Sequence, residues 1–98
     1  MARTLTVSRV RVRPGAEPEY LAAVAALAAL AERRGWHLWV FRAPGDRQLF
    51  LECSESRSAE THRVRAERPA DERSLEERIR AVATYQPDAW DLWEEVRN

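Results

Sequence analysis

The chain has 98 residues, a length that allows one domain with a modest core and is too short for two. Its 16 basic and 16 acidic side chains cancel, so no overall field draws it to nucleic acid or to an anionic membrane. A hydrophobic share of 45% predicts a compact fold, and the single cysteine, Cys53, excludes an internal disulfide and a cysteine-rich metal site.

The N-terminal segment alternates polar and apolar residues and lacks the apolar core of a secretory signal. No segment approaches the roughly 18 apolar residues of a membrane span. The Ala-rich run from Leu21 to Ala31 comes nearest, but it is short and flanked by charge. We therefore expect a cytoplasmic protein with no membrane partner.

The first predicted elements are a strand and a helix. Residues Thr4 to Arg13 alternate in polarity, and the apolar side switches near Ser8-Arg9, which predicts a twist or a bulge there. The helix predicted from Glu17 to Arg34 has Pro18 in its first turn, a position that proline favours. Gly35 follows its end, as is typical of helix C-termini.

An aromatic hairpin comes next, formed by residues 36–42 and 47–53 around a Pro-Gly-Asp turn. A period of two places large side chains on both faces of its first strand: Trp36, Leu38 and Val40 on one, and His37, Trp39 and Phe41 on the other. A strand that is apolar on both faces is covered on both sides. Either face could meet a partner subunit.

The C-terminal half is predicted to be mainly helical. Ser58 suits the N-cap of a short helix over 59–67, and a second helix spans about 71–84. The charges over 63–80 mix signs at helical spacing, which is typical of a solvated face. The tail, 88–96, fits a strand or a helix.

With an extended tail, this order of elements is the ferredoxin-like split βαβ arrangement of an α+β protein, an antiparallel sheet with helices on one face. Because the helices cover one side only, the other side keeps an apolar patch that monomers rarely expose. We therefore expect a single domain over residues 1–98 and a homodimer whose sheets pack face to face.

Four segments carry a family resemblance: the strand TVSRVRVRPG, the hairpin end LFLECSES, the helix start SRSAETHRV and the closing LWEEV. In this order they resemble the dimeric α+β barrel proteins of the antibiotic-biosynthesis-monooxygenase (ABM) type. That family includes cofactor-independent monooxygenases, haem-degrading enzymes, polyketide cyclases and isomerases. The resemblance implies a small pocket between the sheet and the helices of each subunit.

Two residues are candidates for proton transfer. His62 is the best single candidate for a general base, and its imidazole could also hold haem iron; a surface histidine with no role is the alternative. Glu52 lies on the Phe50 side of its strand, where burial would raise its pKa and let it act as a base. Pairing with an arginine across the sheet is the alternative for Glu52.

Aromatic side chains could line a cavity that stacks a planar ligand. The alternative for each of them is the core or the dimer interface. Tyr20 and Tyr85 could donate phenolic hydrogen bonds into such a cavity. The candidate substrate-binding residues are Trp39, Phe41, Phe50, His37, Trp90, Trp93 and Tyr20.

No phosphate loop, nucleophile elbow or zinc-ligand spacing is present in the sequence, so we expect no cofactor and no metal. Three hypotheses for the function remain. The first is a homodimeric ABM-like domain that binds a small hydrophobic or aromatic molecule between sheet and helices. The second is a cofactor-independent monooxygenase, cyclase or isomerase acting on a polyketide-like substrate. The third is haem binding through His62.

Overall fold

The computed structural model describes residues 3–56, 69–89 and 91–96. Its elements in chain order are β1 (Thr4–Val12), α1 (Glu17–Arg33), β2 (His37–Arg42), β3 (Leu49–Ser56), α2 (Ala70–Val82), β4 (Ala83–Tyr85) and β5 (Leu92–Glu94). These residues form an α+β fold with a five-stranded antiparallel sheet and two helices, which confirms the ferredoxin-like prediction. The helix predicted over 59–67 lies outside the described residues. Neither described helix is both long and apolar enough to span a bilayer.

Strand β1 organises the sheet because it pairs along both of its edges. On one edge β3 runs antiparallel to it in an unbroken register, from Thr4 opposite Ser56 to Arg11 opposite Leu49. On the other edge β5 pairs with the beginning of β1 and β4 with its end. Strand β2 pairs with β3, which gives the order β2-β3-β1-β4. Of the twist or bulge predicted near Ser8-Arg9, the unbroken register excludes the bulge.

The switch of polarity along β1 has a different cause. Every second residue of the strand is buried, from Thr4 at one end to Val12 at the other. Val10 and Val12 join the hydrophobic core, whereas Thr6 and Ser8, on the same buried face, lie opposite the polar residues Ser54 and Glu52. The buried face of β1 is therefore regular, and it is apolar at Val10 and Val12 but polar at Thr6 and Ser8.

The C-terminal part differs from the prediction in one element. Helix α2 ends at Val82, and the chain passes directly into β4, which ends at Tyr85; the helix was predicted to reach residue 84. The Arg13 N–H donates to the Val82 carbonyl oxygen at 2.8 Å, and Val10 pairs with Tyr85. Pairing with β1 has overridden the local helical pattern. The ambiguous tail forms a strand, β5.

The core lies between the sheet and the two helices. Its buried members are Val10, Val12, Ala16, Tyr20, Ala23, Val24, Leu27, Phe50, Ile79 and Val82. The helices are also joined by an ion pair in which Arg34 Nη1 lies 2.9 Å from Glu72 Oε2. Glu72 is only 1% exposed, so removing Arg34 would leave a buried charge without its cation.

Helix α1 ends in a Schellman motif built on Gly35, whose φ is +83°. The Trp36 N–H donates to the Ala31 carbonyl oxygen and the Gly35 N–H to that of Glu32, both at 3.2 Å. This turn buries the Trp36 side chain and starts β2 in the register that directs Leu38 and Val40 to the core.

Replacing Gly35 by alanine is expected to lower the free energy of unfolding by about 1–2 kcal/mol, because an L-residue with left-handed backbone brings its Cβ against the following carbonyl oxygen. A Cβ there would meet nothing within 4 Å, so the loss is conformational. Gly45 is the matched control, since its added Cβ also meets nothing and its φ is not positive. Urea denaturation measures both, and equal losses in G35A and G45A would contradict this account.

Candidate functional site

The helix-facing side of β1 and β3 carries a strip of buried polar residues, called here the polar strip: Thr4, Thr6, Ser8, Glu52, Ser54 and Ser56. The β1–β3 register sets Thr6 opposite Ser54 and Ser8 opposite Glu52. Polar groups are buried in proteins at a cost unless they are hydrogen-bonded. The buried polar groups of this strip are therefore expected to have hydrogen-bond partners.

Hydrogen bonds satisfy most hydroxyl groups of the polar strip. The hydroxyls of Thr6 and Ser54 bond to each other, and the Ser8 hydroxyl donates to the Ala89 carbonyl oxygen. The Thr4 hydroxyl donates to the Ser56 carbonyl oxygen at 3.5 Å. Glu52 differs from these residues because it is the one member of the strip that ionises as a carboxylate.

The Glu52 carboxylate accepts hydrogen bonds from two tyrosines. The Tyr20 hydroxyl donates to Oε2 at 2.6 Å, and the Tyr85 hydroxyl lies 2.9 Å from Oε1 and 3.0 Å from Oε2. Three elements supply the cluster: α1 carries Tyr20, β3 carries Glu52, and β4 ends at Tyr85. Glu52 is 7% exposed. The sequence suggested an arginine as its partner, whereas two tyrosines bind its carboxylate in the structure.

Burial raises the pKa of Glu52, because the protein interior solvates the carboxylate less well than water does. The hydrogen bonds from Tyr20 and Tyr85 favour the charged form and offset part of this rise. Burial and the nearby Glu52 charge raise the pKa of Tyr20, so its hydroxyl stays protonated as a donor. A carboxylate with a raised pKa is a stronger base than an exposed one and is suited to accepting a proton.

A small cavity opens beside this carboxylate, between the sheet and the helices, and is called here the Glu52 cavity. Its volume is about 30 Å³, enough for about two water molecules. Polar side chains line one part of it: Thr6, Ser8, Ser54 and Tyr85. Leu27, Trp36 and Leu38 line another. Helix α2 contributes Glu76 and Arg80, so the mixed charges predicted to lie on a solvated face also border this cavity.

The structure brings together two of the predicted site residues, Tyr20 and Glu52, and places a third, Phe50, beside them. The rings of Tyr20 and Phe50 lie 4.9 Å apart in the core. The Arg42 guanidinium lies 5.4 Å from the centre of the Phe50 ring. Phe50 therefore supports the cluster from the core side and is not among the residues that line the Glu52 cavity.

Four other candidates, His37, Trp39, Phe41 and Trp93, lie on the sheet face that the two described helices leave uncovered, called here the open face. Trp39, Phe41 and Trp93 are 43%, 56% and 61% exposed. The His37 ring stacks on that of Trp39 with centroids 5.7 Å apart. His62 and Trp90 lie outside the described residues, so their roles stay predictions.

The polarity pattern of β1 is the sequence signal of the polar strip. Thr6 and Ser8 share a strand face with Val10, and this mixture of polar and apolar residues predicts a twist or a bulge. In the structure the same residues line the Glu52 cavity. Within the described ranges, no three His, Cys, Asp or Glu side chains come together as a candidate metal-ligand set.

No protein-family model and no curated protein matches the chain. Solved structures do match it. SnoaB, a cofactor-independent oxygenase from Streptomyces nogalater, has a TM-score of 0.80 at 17% identity, covering 100% of this chain and 95% of that one. A conserved protein of unknown function from Bacteroides thetaiotaomicron has a TM-score of 0.81 at 18% identity, covering 96% of this chain and 98% of that one.

A third structure, provisionally described as an antibiotic biosynthesis monooxygenase from Caulobacter crescentus, has a TM-score of 0.80 at 11% identity, with 98% of this chain and 92% of that one covered. At such identities a structural match establishes a shared fold, and function has to be argued from the site. The chain has the ferredoxin-like α+β fold of the antibiotic biosynthesis monooxygenase structures, as the sequence resemblance predicted.

Proposed function

We propose that the protein binds a small hydrophobic or aromatic molecule between sheet and helices, and that Glu52 accepts a proton from a weakly acidic O–H or C–H group of that molecule. The observation that supports this is a buried carboxylate with two tyrosine hydroxyls on it, bordering a cavity. This chemistry uses side chains of the chain itself.

The two tyrosines have different roles in this proposal. Tyr20 is fully buried and is not among the cavity-lining residues, so it holds the Glu52 carboxylate in place. Tyr85 is half-buried and lines the cavity. When the proton moves to Glu52, the negative charge moves to the ligand. The Tyr85 hydroxyl can then turn its hydrogen bond from Glu52 to the new anion, a form of electrostatic stabilisation.

The size of the Glu52 cavity limits how the ligand enters. A volume of about 30 Å³ admits a hydroxyl or keto group, whereas drug-sized ligands occupy pockets of about 300–1,000 Å³. The reacting edge of the molecule is therefore held at Glu52, and its remaining part lies outside. Arg80, on α2, is exposed at the rim of this cavity.

The likeness to SnoaB over the whole chain favours a second candidate function, a cofactor-independent monooxygenase acting on a polyketide-like substrate. In that candidate the proton transfer to Glu52 comes first and molecular oxygen is the second substrate. Oxygen uptake separates it from proton transfer alone. Haem binding through His62 stays a prediction, which a haemin titration followed by absorbance can test.

Proton transfer is measured with anthrone as a probe, under argon in D₂O, by following hydrogen–deuterium exchange at its acidic carbon by NMR. The natural protein is expected to accelerate this exchange by about 10²–10⁴-fold, the range of general base catalysis. The Glu52→Gln variant is expected to lose this acceleration, since an amide cannot accept the proton. Glu77→Gln, at an exposed position on α2, is the matched control. Unchanged exchange in E52Q would sink the proposal.

We further propose that the protein is a cytoplasmic homodimer of single domains, with the open face as its interface. The register aligns apolar side chains across three strands there: Trp39 is opposite Cys53, which is opposite Val7, and Leu51 lies beside Phe41. An exposed patch of this kind on a sheet is typical of an association surface. A second copy would cover it with an identical apolar surface.

Charges at the two ends of the open face specify how two copies would align. At one end Arg3 lies 3.1 Å from Glu55 and 2.8 Å from Glu95, which leaves a net charge of about −1. Further along β1, Arg9 points to the same face. A two-fold axis that lies in the interface and crosses the strands would set the Arg9 end of one copy over the Glu55 end of the other.

Light scattering at micromolar concentration is expected to give twice the chain mass of 11.3 kDa. Arg9→Glu and Glu55→Arg are each expected to weaken the dimer, because each sets like charges against each other, and the double variant R9E/E55R is expected to restore it. Arg73→Glu, at an exposed position on α2, serves as the control. A monomeric natural protein, or a double variant weaker than both single ones, would contradict the proposed interface.

A further inference from the structure

The hydroxyl groups of Thr6 and Ser54 form a pair, called here the hydroxyl pair, beside the Glu52 cavity. The β1–β3 register sets the two residues opposite each other, and their side-chain oxygens bond to each other. Both residues are buried, at 3% and 6% exposure, and both line the cavity. The hydroxyl pair therefore belongs to the surface that a ligand at Glu52 would contact.

The hydroxyl pair has one hydrogen more than its internal hydrogen bond uses. A hydroxyl group carries one hydrogen and two lone pairs, so the hydrogen of the accepting residue is left over whichever of the two donates. In the part of the chain that the structure describes, neither Thr6 nor Ser54 has another side-chain hydrogen-bond partner. Buried donors in proteins nearly always have an acceptor. The hydroxyl pair can therefore donate one hydrogen bond to a ligand atom in the cavity.

Two neighbouring hydroxyls of the same cavity are already engaged as donors. The Ser8 hydroxyl gives its hydrogen to the Ala89 carbonyl oxygen. The Tyr85 hydroxyl donates to the Glu52 carboxylate until a proton reaches that group. Among the hydroxyls of the described ranges that line the cavity, the hydroxyl pair thus holds the hydrogen that is available before any proton moves.

The hydroxyl pair and the base lie at different points along the sheet. Ser54 is two residues beyond Glu52 on β3 and shares its buried face, a separation of about 7 Å along the strand. An O–H acid would have to meet both groups with one oxygen, which carries both the proton and the lone pairs. A C–H acid conjugated with a carbonyl group divides the two contacts, because its carbon meets the base and its oxygen meets the donor. The spacing therefore favours the C–H acid.

We propose that the hydroxyl pair binds the carbonyl oxygen of the ligand and stabilises the enolate formed when Glu52 takes the proton. The inference rests on the proposed proton transfer and assigns the group that receives the negative charge. In this step the C–H bond breaks and its proton goes to the Glu52 carboxylate. The electron pair moves through the conjugated system to the carbonyl oxygen, so no oxidant takes part. A donor fixed at that oxygen binds more strongly as negative charge builds there.

The anthrone exchange assay tests this role with Thr6→Val, Ser54→Ala and the double variant T6V/S54A. Each single variant keeps one hydroxyl, whose hydrogen is still available to the ligand, so its exchange rate is expected to stay within about tenfold of the natural one. The double variant keeps neither, and its kcat is expected to fall about 10²-fold, as on loss of an oxyanion-hole donor. Thr4→Val is the matched control, because Thr4 is a buried threonine of β1 that does not line the Glu52 cavity.

Measurement of stability separates this role from a structural one. A single variant leaves the other hydroxyl buried without its partner, whereas the double variant removes both groups together. The urea midpoint is therefore expected to fall more in T6V and in S54A than in T6V/S54A. This order is the reverse of the order expected for exchange. Exchange rates that follow the urea midpoints, or an unchanged rate in T6V/S54A, would overturn the inference.

Binding of ligands without the acidic C–H of anthrone tests the donor apart from proton transfer. Xanthone and xanthene share a three-ring frame, and only xanthone carries a keto oxygen. Quenching of tryptophan fluorescence is expected to give a Kd about fivefold lower for xanthone, as one neutral hydrogen bond supplies, and equal Kd values in T6V/S54A.

The outcomes distinguish this inference from the proposed function. Equal Kd values of xanthone and xanthene in the natural protein would overturn the carbonyl site while proton transfer at Glu52 stands. If the natural protein prefers xanthone but does not exchange anthrone, the proposed function and the enolate step are both overturned, and the carbonyl site stands.

Discussion

The pairing of β1 with β3 determines which residues of the sheet face the helices. Its unbroken register puts Ser8 opposite Glu52 and builds one polar and one apolar region on the same sheet face. The Glu52 carboxylate is then buried under α1, where the Tyr20 hydroxyl reaches it at 2.6 Å. Strand β4 brings Tyr85 to the same carboxylate because it pairs with the end of β1. A shift of one residue in this register would turn Glu52 to the open face and separate it from Tyr20 and Tyr85.

The two faces of the sheet carry different kinds of residues. The helix-facing side holds the core and the buried base, and the open face holds exposed aromatic side chains such as Trp39 and Trp93. A base with a raised pKa opposes folding when it ionises, so its contribution to stability falls as pH rises from the unfolded pKa through the higher folded one. The tyrosine hydrogen bonds limit this cost. The fold therefore carries a destabilising group at the place where chemistry is proposed.

Local pattern was enough to predict β1, α1 and the hairpin, because alternation and the Pro18 and Gly35 signals act within a few residues. It could not predict β4, since Tyr85 is extended only because β1 pairs with it. The two faces of the hairpin were equally apolar, and the Schellman turn that buries Trp36 decides which one is open. The base of the site is Glu52 and its donors are Tyr20 and Tyr85, and only the folded chain brings them together.

A titration of the Glu52 carboxyl carbon by ¹³C NMR, assigned by comparison with the E52Q variant, measures whether Glu52 is a buried base. We expect a pKa of Glu52 above the ordinary glutamate value of about 4.3. We expect a further rise of this pKa in Tyr20→Phe, which removes a hydrogen bond to the charged form. A pKa at or below about 4.3 in the natural protein would contradict the claim that Glu52 is a buried base.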